Sequence, residues 1–214
     1  MLFSVSAAEA SFSEPPQVDF RDTHFQAADN QHSFSTTVDG IQFTLTAWEI
    51  GGAGGDVPRL LWWDPVDGIG IRGGEEDEID ENEMLIIEFA NTIGLSHVFL
   101  SDLFAAEGAG GSPYHEVGAM QLDTQPLPTL FDAATLLSSE GNKANGEAVL
   151  ELSKVLPVNE IRLSGFGLLD RSEFSVIGFT DPPFGVPEPM SLALLETSLI
   201  GIGLIGRRRK YEAD

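Results

Sequence analysis

Seven carboxylates, Glu75, Glu76, Asp77, Glu78, Asp80, Glu81 and Glu83, crowd one short stretch of this chain, with Asp64 and Asp67 a little upstream. Like charges at that density raise one another's pKa and repel, and a hard divalent cation relieves both effects. Calcium, which accepts flexible sets of carboxylate and carbonyl oxygens, is the cation such a loop would take, with Glu75, Asp77, Asp80 and Glu83 as its ligands. The spacing is not that of an EF-hand. Counted from Asp77, the third position is Ile79 and the sixth is Asn82, where that loop needs a ligand and a glycine. The same residues also fit a solvated acidic loop that keeps a sheet edge from pairing with a neighbour. Ile79 alternates out of phase with the carboxylates and is expected to pack inward.

A second kind of chemistry belongs to the aromatic residues. Trp48, Trp62 and Trp63, with Tyr114, offer ring faces on which a sugar could stack, and they are the candidate ligand-binding residues. Core packing explains at least two of them as easily, because the run Leu60-Leu61-Trp62-Trp63 must hide its apolar surface somewhere. Catalytic constellations are thin. His24, His32, His97 and His115 have no metal-binding spacing, and neither a nucleophile elbow nor a phosphate-binding loop occurs. Carboxylates are so abundant that no pair stands out as a glycosidase acid and base. Residues 68–73 spell G-x-G-x-x-G, but acidic residues follow where a phosphate-binding helix would have to open. The pattern recurs at residues 201–206 inside an apolar run, so neither copy signifies a dinucleotide site. No residue is assigned a catalytic role, and the chain reads as non-enzymatic.

The elements that must position these residues read as strands. Ile41, Phe43, Leu45 and Ala47 alternate with polar neighbours after the turn pair Asp39-Gly40. Further strands are expected over residues 84–90, 95–104, 114–122, 147–152, 160–168 and 173–179, with a single short helix near 130–137. Frequent turn signals between short strands suggest an all-β, antiparallel β-sandwich of the jelly-roll type over residues 11–180. There is no cysteine, which excludes disulfides and thiolate sites. The net charge is −23. Outside residues 207–210 only Arg21, Arg59, Arg72, Lys143, Lys154, Arg162 and Arg171 oppose the carboxylates, so the surface repels nucleic acid.

The two ends carry addresses. Residues 1–10 read as the remnant of a secretory signal, closing on the small-residue site Ala8-Glu9-Ala10 but lacking a basic start and most of an apolar region. A start further upstream accounts for that, and an ordinary disordered terminus is the alternative. Near the other end, a Pro-rich linker over residues 181–186 leads to Pro187-Glu188-Pro189, an apolar run over 190–206, and the basic stop Arg207-Arg208-Arg209-Lys210. The prolines hold the motif extended, the apolar run is at the short end for spanning a bilayer, and the cations place the extreme C-terminus in the cytoplasm. Glu196 interrupts the run at a cost of about 2.5–3.5 kcal/mol, which the surrounding leucines and isoleucines offset.

This order of parts over residues 187–210 resembles the PEP-CTERM sorting signal of bacterial exosortase substrates. Pro187, Glu188 and Pro189 match its motif, and Arg207, Arg208 and Arg209 match its basic end. The body is similar to a β-domain that recurs in proteins of that group, through the Gly-rich acidic stretch after Gly68, the strand from Met84, and Phe174-Ser175-Val176-Ile177-Gly178-Phe179. The resemblance implies export, handling by an exosortase-type membrane enzyme, and a destination in the envelope or extracellular matrix of a Gram-negative cell. Three roles then stand open: a structural or polysaccharide-associated matrix protein, a carbohydrate-binding module using the tryptophans, and a secreted hydrolase.

Overall fold

The computed structural model describes residues 15–51, 55–73, 78–80, 82–104, 116–139, 146–165 and 173–182. The chain divides into two units, Met1–Pro182 and Pro183–Asp214, and every described residue belongs to the first. Among the described residues ten strands follow in order: β1 (Val18–Asp19), β2 (Ser33–Val38), β3 (Ile41–Glu49), β4 (Val57–Asp64), β5 (Gly68–Arg72), β6 (Glu83–Ser101), β7 (Val117–Leu122), β8 (Thr129–Asp132), β9 (Ala148–Gly165) and β10 (Ser175–Thr180). A 3₁₀ turn spans Thr23–Ala28, and one α-helix, α1, spans Ala133–Ser139. Asp132 caps α1 by accepting from the amides of Ala134 and Thr135 at 2.7 and 3.2 Å.

All pairings are antiparallel, as the alternation predicts, and all strands share one sheet. The first half of β6 pairs with β3 and its second half with β10; β10 pairs with β5, β5 with β4, and β4 with β3. These five strands therefore close a ring, and the sheet is barrel-like. The expected all-β antiparallel class holds, and the two-sheet sandwich is not confirmed. β6 (19 residues) and β9 (18 residues) each continue as one long strand. The sequence reads each of these as two strands because turn-forming residues such as Asn91 and Gly94 interrupt the apolar pattern. In the structure they produce register shifts between Glu88 and Ile93 and between Leu95 and His97, and the strand continues through them.

The ring encloses the core. Ile41, Phe43, Leu45 and Ala47 of β3 point inward with Leu85, Ile87 and Phe89 of β6, and all are buried. Phe43 lies within 5.6–6.3 Å, ring centre to ring centre, of Phe20, Phe25, Phe89 and Phe179. Edge-on contacts dominate this cluster, as the aromatic quadrupole favours. Among the described residues no helix is long and apolar enough to cross a membrane. The apolar run over 190–206, the Pro187-Glu188-Pro189 motif and Arg207, Arg208 and Arg209 lie outside the described residues.

Candidate functional site

Strand parity separates the three tryptophans. In β4, Leu61 and Trp63 face the core, and Trp63 donates its indole N–H to the Phe20 carbonyl at 2.8 Å. Trp63 is an anchor. Trp62 points the other way, opposite Gly70 of β5, where the missing side chain leaves room for the indole. The Arg72 guanidinium lies over the Trp62 ring at 4.0 Å from its centre and reaches Asp29 at 3.7 Å. One face of Trp62 is thus already taken by a cation.

Trp48 also faces outward, and its indole N–H donates to Thr46 Oγ1 at 3.1 Å, which fixes the ring. Its cross-strand neighbours are Pro58 on β4 and Met84 on β6. The row continues through Ser164 of β9 and Ala119 of β7 to Leu130 of β8, which is 53% exposed. Trp48 is the large ring in a band of apolar and small residues that crosses six strands. Arg162, held by Glu160 at 2.6 Å, sits in the neighbouring row beside Ile86. A flat indole with small and apolar neighbours can take the C–H face of a ring-shaped ligand, and the polar groups beside it can meet that ligand's hydroxyls.

The acidic stretch divides differently. Glu75 and Asp77 lie outside the described residues. Asp80 and Glu83 form a tight turn in which Asp80 N–H donates to Glu83 Oε2 at 3.2 Å and Glu83 N–H to the Asp80 carbonyl at 2.9 Å. Glu83 is only 4% exposed, beneath Gly73, where a Cβ would stand 2.5 Å from its Oε1. Burial pushes the Glu83 carboxyl up to about 7, while the Asp80 amide and the Arg59 guanidinium hold it down. Arg59 is bonded in turn to Glu49, the residue opposite Glu83 on β3. The fixed positive charge beside these two glutamates is therefore a guanidinium from β4, and the Glu83 carboxylate is already committed to the Asp80 amide. Among the described residues no three His, Asp or Glu side chains converge in a way that would hold a metal ion. Ile79 is fully buried, as the alternation predicts.

The sequence does not single out Glu78, and the structure does. Its carboxyl is pushed up to about 9, first by burial, then by the charges of Asp102 and Glu173, with a side-chain hydrogen bond to Glu173 and the charge of Glu116 adding to the effect. These four carboxyls come from four segments: the acidic stretch, the end of β6, the approach to β7 and the approach to β10. Glu116 accepts from the Phe104 amide, and Asp102 adopts a left-handed backbone at φ 55°. No local pattern joins residues so far apart in sequence, so only the three-dimensional fold shows the cluster. His115 lies outside the described residues, and each of the other three histidines meets one hydrogen-bond partner. His24 Nε2 meets Thr36 Oγ1 at 2.5 Å, His32 Nδ1 meets the Arg59 carbonyl at 2.9 Å, and His97 Nδ1 meets Ser96 Oγ at 2.7 Å.

Comparison with family models, with curated proteins and with solved structures finds no match to this chain.

Proposed function

We propose that this chain is an exported, non-catalytic β-protein of the cell envelope or extracellular matrix that engages neutral polysaccharide through Trp48. The observation that carries the binding half of this reading is the outward row centred on Trp48, with its indole fixed by Thr46 and flanked by Pro58, Met84 and Ser164. Of the three candidate tryptophans, Trp63 is spent on the core and Trp62 is covered by Arg72, which leaves one ring free to stack. A surface bearing a net charge of −23 repels anionic polymers and favours an uncharged one. Export and sorting rest on the PEP-CTERM-like order of parts over residues 187–210, and the partner they imply is an exosortase-type processing enzyme.

The binding half is tested by titrating neutral oligosaccharides against tryptophan fluorescence. Quenching is expected in the wild type and in Trp62→Ala, with loss of about tenfold or more in affinity in Trp48→Ala. Equal binding by Trp48→Ala would remove the platform. The sorting half is tested by intact mass of the protein from its own cells, with membrane and matrix fractions kept apart. A matrix form ending near Glu188 is expected, and a full-length form confined to membrane would refute processing.

A further inference from the structure

Every second side chain of a strand points the same way, so the outward face of β4 carries Pro58, Leu60 and Trp62 in one line. Trp48 of β3 stands beside Pro58 at one end of that line. Trp62 closes the other end, four residues or about 13 Å along the strand. The line follows a single strand and is straight, whereas the row from Trp48 across six strands bends with the sheet. What stands over Trp62 is an ion pair that bridges β4. Asn30 and Gln31 bond to Leu61 on one flank of β4, and β5 lies on the other. Asp29 therefore comes from the first side and Arg72 from the second, and the guanidinium stops 3.7 Å short of the carboxylate, above the indole. Arg72 Nε, Asp29 Oδ1 and Trp62 Nε1 are all shielded from solvent, and among the described residues none of them has a hydrogen-bond partner. Three shielded polar atoms left unbonded make the covered arrangement costly to hold. The Arg72 side chain is 37% exposed, so it has solvent to move into.

We propose that Arg72 is a movable cover on a second sugar-stacking ring, and that Trp48 and Trp62 together take a straight, extended chain of equatorially linked neutral sugars laid along β4. The rings of such a chain run in line and present flat C–H faces to an indole. A sugar ring arriving over Trp62 takes the place of the guanidinium, and one of its hydroxyls accepts from the indole N–H. The displaced guanidinium swings the short distance onto Asp29, where Nε and a terminal nitrogen donate to the carboxylate. All three unbonded atoms are satisfied by that one exchange. A coiled chain leaves the line after a single indole, and a short one reaches only one end of it. This second subsite rests on the polysaccharide reading of Trp48, and adds to it the shape of the chain and the work of the ion pair.

Cellobiose, cellohexaose and maltohexaose serve as probes, titrated into the full-length protein by calorimetry. Cellohexaose is expected to bind about tenfold tighter than either of the others, because it alone reaches both rings. Arg72→Ala removes the cover and is expected to tighten cellohexaose binding about threefold, with cellobiose unchanged. Asp29→Asn removes the place where the guanidinium comes to rest and is expected to weaken cellohexaose binding about as much. A pair that only holds the fold together would move both variants in the same direction or neither, and either result overturns the cover. The gain in Arg72→Ala is expected to vanish when Trp62→Ala is added. Acrylamide quenching of tryptophan emission needs no sugar: it is expected to rise in Arg72→Ala and not in the double variant, and no rise would overturn the cover as well. Circular dichroism confirms that each variant folds. Equal affinity of the wild type for cellobiose and cellohexaose, with binding still lost in Trp48→Ala, would remove the second ring and leave the first. Binding of none of the three probes by the wild type would remove the Trp48 platform and this subsite with it.

Discussion

Glu78 shows how much a single carboxyl can be asked to bear. Its proton is held to about pH 9 in the folded chain against an ordinary value of 4.5, so between these values the folded state binds a proton that the unfolded chain has released. The contribution of this carboxyl to stability is therefore fully present below about pH 4.5 and is lost as pH rises toward 9. Glu78→Gln keeps the shape and a donor toward Glu173 and removes the titration. The variant is expected to melt above the wild type near pH 8 and level with it near pH 4.5, read by thermal unfolding across that range. A parallel decline in both proteins would place the pH dependence elsewhere. Local pattern was enough to turn Ile79 inward and to leave the tryptophans undecided between core and surface. It was not enough to find Glu78, because the burial that perturbs it, and the charges of Asp102, Glu173 and Glu116 that add to it, arise only in the folded chain.

Among the elements, β5 is the one whose composition misleads. Gly68-Ile69-Gly70-Ile71 looks like a loop, or a phosphate-binding motif taken out of context. In the structure it is a strand whose isoleucines are fully buried and whose glycines solve two spatial problems. Gly70 faces Trp62. Gly68 sits at φ 93°, and a Cβ there would stand 2.3 Å from the Val176 carbonyl of β10, so it permits the approach that closes the ring. Gly68→Ala is expected to destabilise by about 2–4 kcal/mol, with amide exchange rising first in β5 and β10. Unchanged protection there would mean that the ring closes by other contacts. Clean alternation made β3 legible. β4 and β5 were hidden, because Leu60-Leu61-Trp62-Trp63 lacks alternation and a strand with glycine on its outer face shows a pattern only on the other.

At the scale of the whole molecule, the phenylalanine cluster holds the 3₁₀ turn, β3, β6 and β10 to one centre. Phe43, at 1% exposure, touches all of it, and Phe43→Ala is expected to cost about 3–5 kcal/mol in denaturant unfolding. A cost below about 1 kcal/mol would show that the core collapses into the space. That the chain is antiparallel and all-β could be read from period-two alternation. That it closes could not, because closure depends on β10 meeting β5 on one side and β6 on the other, and no single strand's pattern encodes both registers. The position of β10 has a mechanical consequence. Chain beyond Pro182 continues from this strand, so tension applied there is delivered first to Thr180 and the strand behind it. A terminal strand at an edge peels away one bond at a time. β10 is gripped by β6 on one flank and by β5 and β1 along the other, so a pull must break ladders on both flanks together. The last described strand is thereby held on both flanks, so a pull on the chain beyond it passes into the body of the protein and does not peel the strand away.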